Sequence, residues 1–389
     1  MPLRLGNRRP SSLHRGSVMR LIDFLDKGAS LGAKAPCLTM AGQSHSYGDV
    51  QAFSHRVAHA SQQSGVAAGD KVAILSSNDP VAFSCVFGIS RAAAVWCPIN
   101  PRNELAENAD LLDGTDCKVL IFHSDYHEMV AAMQNKLPKI TAWVCLDAEL
   151  DFAQSLKAWL PTGEIAAVHV DPIDDLALLP GTGGTTGKPK SVMLTGRNME
   201  VMSAMTLMGY PFSQRPVYLA VAPLTHAAGV LCFPVMAMGG EIVIMKTPDM
   251  DTFLDLIEIH KVTHTFLPPT VIYMLLDNPR LNYSDLSSVE CFWYGAAPIS
   301  PARLRDALER FTQIESRLGH QVRSPGTTTR AGKCGRPSTW MMSRPRPAVM
   351  PSHTQSPCFA KTSGRWRGHR LAAQSTPVLS RCTRPPEFS

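Results

Sequence analysis

The chain has 389 residues, 44% of them hydrophobic and 18% charged, the proportions of a globular protein too long for one simple core. Its net charge of +6 is unevenly spread: residues 312–389 hold 13 Lys/Arg against 2 Asp/Glu, and residues 1–311 hold 25 against 30. An acidic body with a basic tail that has no aromatic interleaving or helical period argues against nucleic-acid binding, and no apolar run reaches a membrane span.

The two longest apolar stretches are interrupted, one by Arg91 and Pro98, the other by Pro234 and Glu241. The ten cysteines form no Cys-x-x-Cys pair and no Cys/His cluster, so neither a metal site nor a disulfide framework is expected and the compartment reads as cytoplasmic.

Residues 1–18 are rich in Arg and free of acid, the composition of a transit peptide, but Pro2 and Pro10 oppose the amphipathic helix such a peptide needs. They are expected to be a non-native leader, with Met19 as the start. An amphipathic helix begins at Met19 and a second covers "SYGDVQAFSHRVAHA". From Lys71 strands and helices alternate: "KVAILSS", "VWCPIN", "CKVLIFH" and "TAWVCLD" read as strands separated by helical segments. After residue 190 the alternation resumes with strands at "VYLAVAP", "EIVIM", "THTFLPP" and "VECFWYG", and helices at "AAGVLCFPVMAMG", "MDTFLDLIEIHK" and "PARLRDALERF". Buried strands alternating with helices predict an α/β fold with mostly parallel, doubly covered sheets. Two subdomains are expected, residues 19–170 and 171–311, with the segment 182–190 near their junction.

That segment reads Thr182-Gly183-Gly184-Thr185-Thr186-Gly187-Lys188-Pro189-Lys190. Three glycines allow a tight backbone with inward N–H groups, three hydroxyls add hydrogen-bonding capacity, and Lys188 and Lys190 add positive charge, all suited to polyphosphate oxygens. A Walker A loop is excluded, because Thr182 stands where its first glycine belongs and Pro189 where its metal-binding hydroxyl belongs. "LALLP" before the segment and "SVMLT" after it both read as strands, so the loop joins strand to strand without a helix dipole behind it.

"TGGTTGKPKSVMLTGRN" resembles the signature loop of the adenylate-forming superfamily, which includes acyl-CoA synthetases, aryl-CoA ligases, peptide-synthetase adenylation domains and luciferases. Ser191 stands where that family usually has Gly, and Gly196 where it often has His. "AAAVWCPINP", "APLTHAAGV" and "WYGAAPIS" are similar to further family segments, in the family's order, from about Asp23 to Phe311. The resemblance implies the family's large N-terminal domain without its C-terminal lid. It implies that Thr182, Gly183, Gly184, Thr185, Thr186, Gly187, Lys188 and Lys190 bind ATP phosphates, that His226 faces the acyl substrate, and that Gly295, Ala296, Ala297 and Pro298 pack on adenine. A lone His in an apolar setting also reads as an ordinary packed residue, and 295–298 also read as a strand-to-helix turn before Ser300.

Beyond Phe311 the apolar period disappears and Arg, Ser, Pro and Thr accumulate, a composition that buries too little surface to offset chain entropy. A disordered tail and out-of-frame translation both fit, the second better, since the resemblance stops in mid-domain. A short island, "AGKCGRP" at 331–337, resembles a family turn. The family's Tyr-Gly-x-Thr-Glu motif with its metal-binding Glu, its Thr-Gly-Asp motif and its C-terminal lysine are not found.

The resemblance therefore implies an acyl-CoA synthetase, joining a carboxylic acid to CoA through an acyl-adenylate with ATP and Mg²⁺, with no catalytic or metal residue retained and activity of the chain as written not expected. A fatty acid is the favoured substrate because the segments after His226 are apolar. The alternatives are an aryl-acid CoA ligase and a non-catalytic nucleotide- or acyl-binding remnant.

Overall fold

The computed structural model describes residues 19–182, 189–318 and 340–342, with side chains described as far as residue 311. In chain order its first elements are α1 (Leu21–Gly32), β1 (Pro36–Met40), β2 (Gln43–Ser46), α2 (Tyr47–Gln63), β3 (Lys71–Leu75), α3 (Pro80–Arg91), β4 (Val95–Ile99), α4 (Leu105–Gly114), β5 (Cys117–Phe122), α5 (His127–Gln134), β6 (Ala142–Cys145), β7 (Gln154–Ser155) and α6 (Leu156–Trp159). There follow β8 (Leu176–Leu178), β9 (Gly181–Thr182), β10 (Lys190–Ser191), β11 (Leu194–Thr195), α7 (Gly196–Gly209), β12 (Val217–Ala220), α8 (Ala227–Val230), α9 (Cys232–Ala237), β13 (Glu241–Ile244), α10 (Met250–His260), β14 (His264–Leu267), α11 (Pro269–Asp277), β15 (Cys291–Gly295), α12 (Pro301–Leu318) and β16 (Trp340–Met342).

Local sequence sets the helix starts. Ser46 accepts from the Asp49 amide while Asp49 returns a bond to the Ser46 amide, and Thr195 with Asn198 repeats the arrangement before α7. Asp79 accepts from the amides of Val81 and Ala82, and Pro80 occupies the first helical position, where its missing N–H costs nothing. The helix expected at "AAGVLCFPVMAMG" forms as two short pieces, α8 and α9, with Pro234 in the first turn of α9, where proline is tolerated.

Two seven-stranded, mostly parallel sheets form, one in the order β11-β8-β4-β3-β5-β6-β7 and the other in the order β16-β15-β14-β12-β13-β1-β2. The boundary expected at residue 170 does not separate them. β1 lies parallel to β13 in the second sheet and carries β2 with it, while β8 and β11 complete the first sheet beside β4. The chain thus begins in the second sheet, builds most of the first, and returns. Sequential reading misplaces β1 because a five-residue strand shows its burial pattern but not its partner, here some 200 residues away.

Alternation along the strands distributes side chains to three cores. Val72, Ile74, Trp96, Val119 and Ile121 of the first sheet and Tyr218, Ala220, Ile242, Ile244 and Trp293 of the second share one core with α1, α2, α3 and α9. The intervening residues face outward, Leu219, Val243, Leu267 and Phe292 onto α10, α11 and α12, and Ala73, Leu75, Val95, Cys97 and Leu120 onto α4 and α5. A central helical layer is therefore covered on both sides by sheet. Within it α2 and α3 cross at Gly88, where a Cβ would collide with Val57. Among the described residues no helix is long and apolar enough to cross a membrane.

One charge is buried in this layer. Arg91, at the end of α3, pairs with Asp26 of α1 at 2.6 Å and donates from Nε to Ser54 Oγ of α2 at 2.8 Å. His264 is buried as well, 2% exposed, with its ring against Phe212 at 4.7 Å and Trp293 at 5.2 Å. Its Nδ1 lies 2.8 Å from Thr263 Oγ1, and burial pushes its imidazole down to about 3 from 6.5.

Two stability outcomes follow from these groups. Asp26→Ala leaves the Arg91 guanidinium buried without its carboxylate and is expected to cost about 3 kcal/mol in denaturant unfolding, the low end for such pairs because Asp26 is a third exposed. His264 stays neutral in the fold while the unfolded chain protonates below 6.5, so its contribution is intact above pH 6.5 and is lost as pH falls toward 3. The loss should run at about 1.4 kcal/mol per pH unit, and His264→Phe should flatten that part of a stability-against-pH curve.

Candidate functional site

In an open parallel sheet, ligands bind beyond the carboxyl ends of the strands where the strand order reverses. The order reverses at β3, flanked by β4 and β5, and at β12, flanked by β13 and β14. The segments leaving those strands meet. Asn78, three residues past β3, accepts from the Leu224 amide beyond β12 at 2.8 Å and donates to the carbonyls of Ala222 at 3.2 Å and Met245 at 2.9 Å. Asp125 beyond β5 pairs with Lys246 beyond β13 at 3.2 Å.

Beside this junction lies a cleft lined by Pro98, Asn100, Asn103, Leu111, Pro180, Gly181, Thr225 and His226. One wall is the end of β4 and the start of the β9 hairpin; the other is the turn before α8. The lining has no carboxylate. Arg102, between two lining asparagines, is exposed, and its backbone amide donates to Asn100 Oδ1 at 3.1 Å.

The residues singled out from sequence are distributed as follows. β9 and β10 form an antiparallel pair, with Lys190 opposite Thr182 and Ser191 opposite Gly181, so the strand-loop-strand element is present. Thr182 Oγ1 donates to the Lys190 carbonyl at 3.1 Å, which places its proton inside the hairpin, and both residues are exposed. Gly183, Gly184, Thr185, Thr186, Gly187 and Lys188 lie outside the described residues.

His226 lines the cleft and keeps solvent access, with Nδ1 2.8 Å from Thr225 Oγ1. Partial loss of water around the ring, and then the positive charge of Arg102, hold its imidazole below the ordinary histidine value. At neutral pH it is an uncharged donor or acceptor. Gly295 is buried at the end of β15, whereas Ala296, Ala297 and Pro298 are exposed beyond it. They stand two strands from β12, about 10 Å along the sheet, and are not among the residues lining the His226 cleft.

Ala296 has φ +68°, a left-handed conformation that a Cβ makes costly. Ala41, Ala93, Asp116 and Lys261 are left-handed as well, so the strain at Ala296 does not by itself mark a site.

The family profile described as AMP-binding enzyme matches residues 25–339. The chain belongs to the AMP-binding enzyme family. The match continues past Phe311, where the sequence reading placed the end of the resemblance, and takes in residues 331–337; α12 likewise continues to Leu318.

Curated relatives of this AMP-binding enzyme include a medium/long-chain-fatty-acid–CoA ligase of Mycobacterium tuberculosis, 28% identical over 293 residues, 70% of this chain and 51% of the relative. A feruloyl-CoA synthase of an Amycolatopsis species is 30% identical over 301 residues, 77% of this chain and 58% of that protein. The chain thus spans about half the length of the curated relatives it matches. A crystal structure of a long-chain-fatty-acid–CoA ligase from Archaeoglobus fulgidus superimposes with a TM-score of 0.68 at 23% identity, over 78% of this chain and 62% of that one.

Sequence reasoning missed Asn78, Asn100, Asn103 and Arg102. Asn100 fell within "VWCPIN", read as a strand, and the polar residues Asn100, Arg102 and Asn103 that follow this buried strand were the available signal. Nothing in the sequence marks Asn78.

The strain at Ala296 makes a prediction of opposite signs. Ala296→Gly should hold or raise the unfolding midpoint, while Ala296→Val should lower stability by about 1–2 kcal/mol, both read by thermal denaturation.

Proposed function

We propose that this AMP-binding enzyme chain forms the nucleotide- and acid-binding half of an acyl-CoA synthetase site. The observation that carries the reading is the single cleft shared by Gly181 and His226: the hairpin that presents the glycine- and lysine-rich loop starts on one wall, and the His226 turn forms the other. In this reading the backbone of 183–187, the hydroxyls of Thr185 and Thr186, and Lys188 and Lys190 hold the triphosphate, with Thr182 closing the mouth of the hairpin. His226, uncharged at neutral pH, offers one hydrogen bond to the acid without adding charge. Arg102 supplies the positive charge that draws a carboxylate toward it. Gly295 to Pro298, small residues around the left-handed Ala296, present backbone on which an adenine ring lies.

An apolar acid is the substrate class, a fatty acid first and an aryl acid second. The support is the relatives described as fatty-acid and feruloyl ligases; the cleft lining itself carries no carboxylate but is half polar, with Asn100, Asn103, Thr225 and His226. The apolar run after His226 is weaker support than its composition suggests, because Ala228, Val230, Leu231, Cys232 and Phe233 are all buried in the central core. Their apolarity serves packing between the sheets.

CoA would act as the thiol acceptor of the acyl group. Among the described residues no group of three or more His, Cys, Asp or Glu could hold a metal ion; a nucleotide-bound Mg²⁺ needs only one or two carboxylates beside the phosphates. No step is assigned to it. Bringing a carboxylate onto an α-phosphate sets two anions together, and the cations that this chain's own residues offer there are Lys188, Lys190 and Arg102. Three positive side chains suffice for binding, whereas adenylation also needs charge placed where the transition state develops it. The chain is accordingly read as binding ATP and acid with little or no turnover, which keeps a non-catalytic nucleotide-binding role as the second reading.

Calorimetry with ATP should show weak binding. Lys188→Ala combined with Lys190→Ala should weaken it at least tenfold, since each charge-assisted phosphate contact is worth about 1.5–3 kcal/mol. Unchanged affinity in the double variant would reject the loop assignment. Pyrophosphate release with a panel of fatty and aryl acids should be at background for the 389-residue chain, and acid-dependent turnover would show that residues outside those named supply the missing charge.

A further inference from the structure

We infer that Asn78 is a positioning residue, which fixes the His226 wall of the cleft at a set distance from the wall that carries the phosphate-loop hairpin. The inference rests on the cleft assignment above and adds the residue that shapes it.

Asn78 belongs to the first sheet by its backbone and to the second by its side chain. It is 6% exposed and is not among the cleft-lining residues. Its Oδ1 accepts from the Leu224 amide at 2.8 Å; its Nδ2 donates to Met245 O at 2.9 Å and Ala222 O at 3.2 Å, with Val221 O at 3.5 Å. Those partners are the residues immediately beyond β12 and β13. Their amide and carbonyls have left the ladder at the strand ends, and an unmet buried backbone group costs about as much as a lost hydrogen bond.

Only a primary amide of this length gives an acceptor on one side and two donors on the other. Aspartate keeps the acceptor but turns the donor side into a third set of lone pairs facing carbonyls, and alanine keeps neither.

The geometric consequence concerns the cleft. Ala222 and Leu224 bracket Pro223, and the next two residues are Thr225 and His226; the His226 amide in turn donates to Pro223 O at 3.1 Å. A clamp on Ala222 and Leu224 therefore fixes the turn that presents the imidazole. The opposite wall rises from β4, which pairs with β3 in register Ile74 with Pro98 and Leu75 with Ile99. Asn78 and that wall leave adjacent strands of the same sheet, so the length of one side chain sets the gap between Asn100 and Asn103 on one side and His226 on the other. The other tie across this junction, Asp125 to Lys246, is about half exposed at both ends and contributes little.

The test compares the full chain with Asn78→Ala, Asn78→Asp and a control, Val130→Ala, which opens a cavity in the outer core of the first sheet. Two readouts respond to position rather than to global stability. One is the NMR titration of the His226 ring, assigned by its loss in His226→Gln. The other is hydrogen exchange of the Leu224 amide under conditions where the fold is intact. Asn78→Ala should raise the His226 titration toward the ordinary histidine value as water reaches the ring, and should cut Leu224 protection at least about tenfold, the loss of one buried hydrogen bond. Asn78→Asp should keep more of the Leu224 protection than Asn78→Ala but still shift His226, and it serves alone if the alanine variant does not fold. Val130→Ala should lower Tm without moving either readout.

If the Asn78 variants lower Tm yet leave His226 and Leu224 as in the parent, Asn78 is a stabilising residue only and the inference is wrong. ATP binding by the parent is measured separately, so failure of the phosphate-loop assignment shows as absent ATP binding with the Asn78 response still present.

Discussion

The architecture depends on one packing constraint: both sheets bury a face on the same layer of helices. α3 and α9 are buried along almost their whole length and α1 and α2 each bury one face, and Val72, Ile74 and Trp96 from one sheet and Tyr218, Ala220 and Ile244 from the other close over them. Sharing one core brings the carboxyl ends of β3 and β12 within reach of a single side chain. The cleft is therefore a by-product of how apolar surface is hidden, and it would persist whatever chemistry its lining carried. Arg91 and Asp26 sit inside this layer, where a charge is tolerated because its partner and Ser54 satisfy it.

From this constraint the site acquires its division of labour. Rigid parts, the strand ends and the Asn78 clamp, hold two walls apart; the loop between β9 and β10 and the turn at Ala296 carry the groups proposed to touch nucleotide. Placing ligand-contacting groups on loops over a packed scaffold separates the demands of stability from those of recognition. His226 illustrates the separation. Its backbone is fixed by the clamp and by the start of α8, while its ring lines the cleft, partly shielded from water, with Nδ1 2.8 Å from Thr225 Oγ1.

Much of this was legible in the sequence, and the parts that were not share a cause. Alternation of "KVAILSS", "VWCPIN" and "CKVLIFH" with helical runs exposed the parallel sheets because buried parallel strands read as continuous apolar stretches. The hairpin around the glycine- and lysine-rich segment forms as expected, while residues 183–188, whose types suit phosphate binding, lie outside the described residues. Strand partners were not legible: β1 and β2 join a sheet whose other strands begin at residue 217, and nothing in "PCLTM" specifies β13. Asn78 was invisible for the same reason, since an asparagine after a strand reads as a turn residue until the carbonyls of Ala222 and Met245 arrive from elsewhere. After Phe311 the apolar period is lost, yet α12 runs on to Leu318 and the family match runs to residue 339, taking in the 331–337 island visible in the sequence.

The central claim is that nucleotide binds across the carboxyl ends of the two sheets, with phosphates at the β9–β10 hairpin and adenine on the backbone beyond β15. A crystal structure with a non-hydrolysable ATP analogue tests it most directly. The account predicts phosphate density within hydrogen-bonding distance of Lys190 and the 183–188 loop, and a purine lying against Ala296 and Ala297. Density at any other place on the fold, or a purine away from Ala296 with the phosphates remote from Lys190, would contradict it.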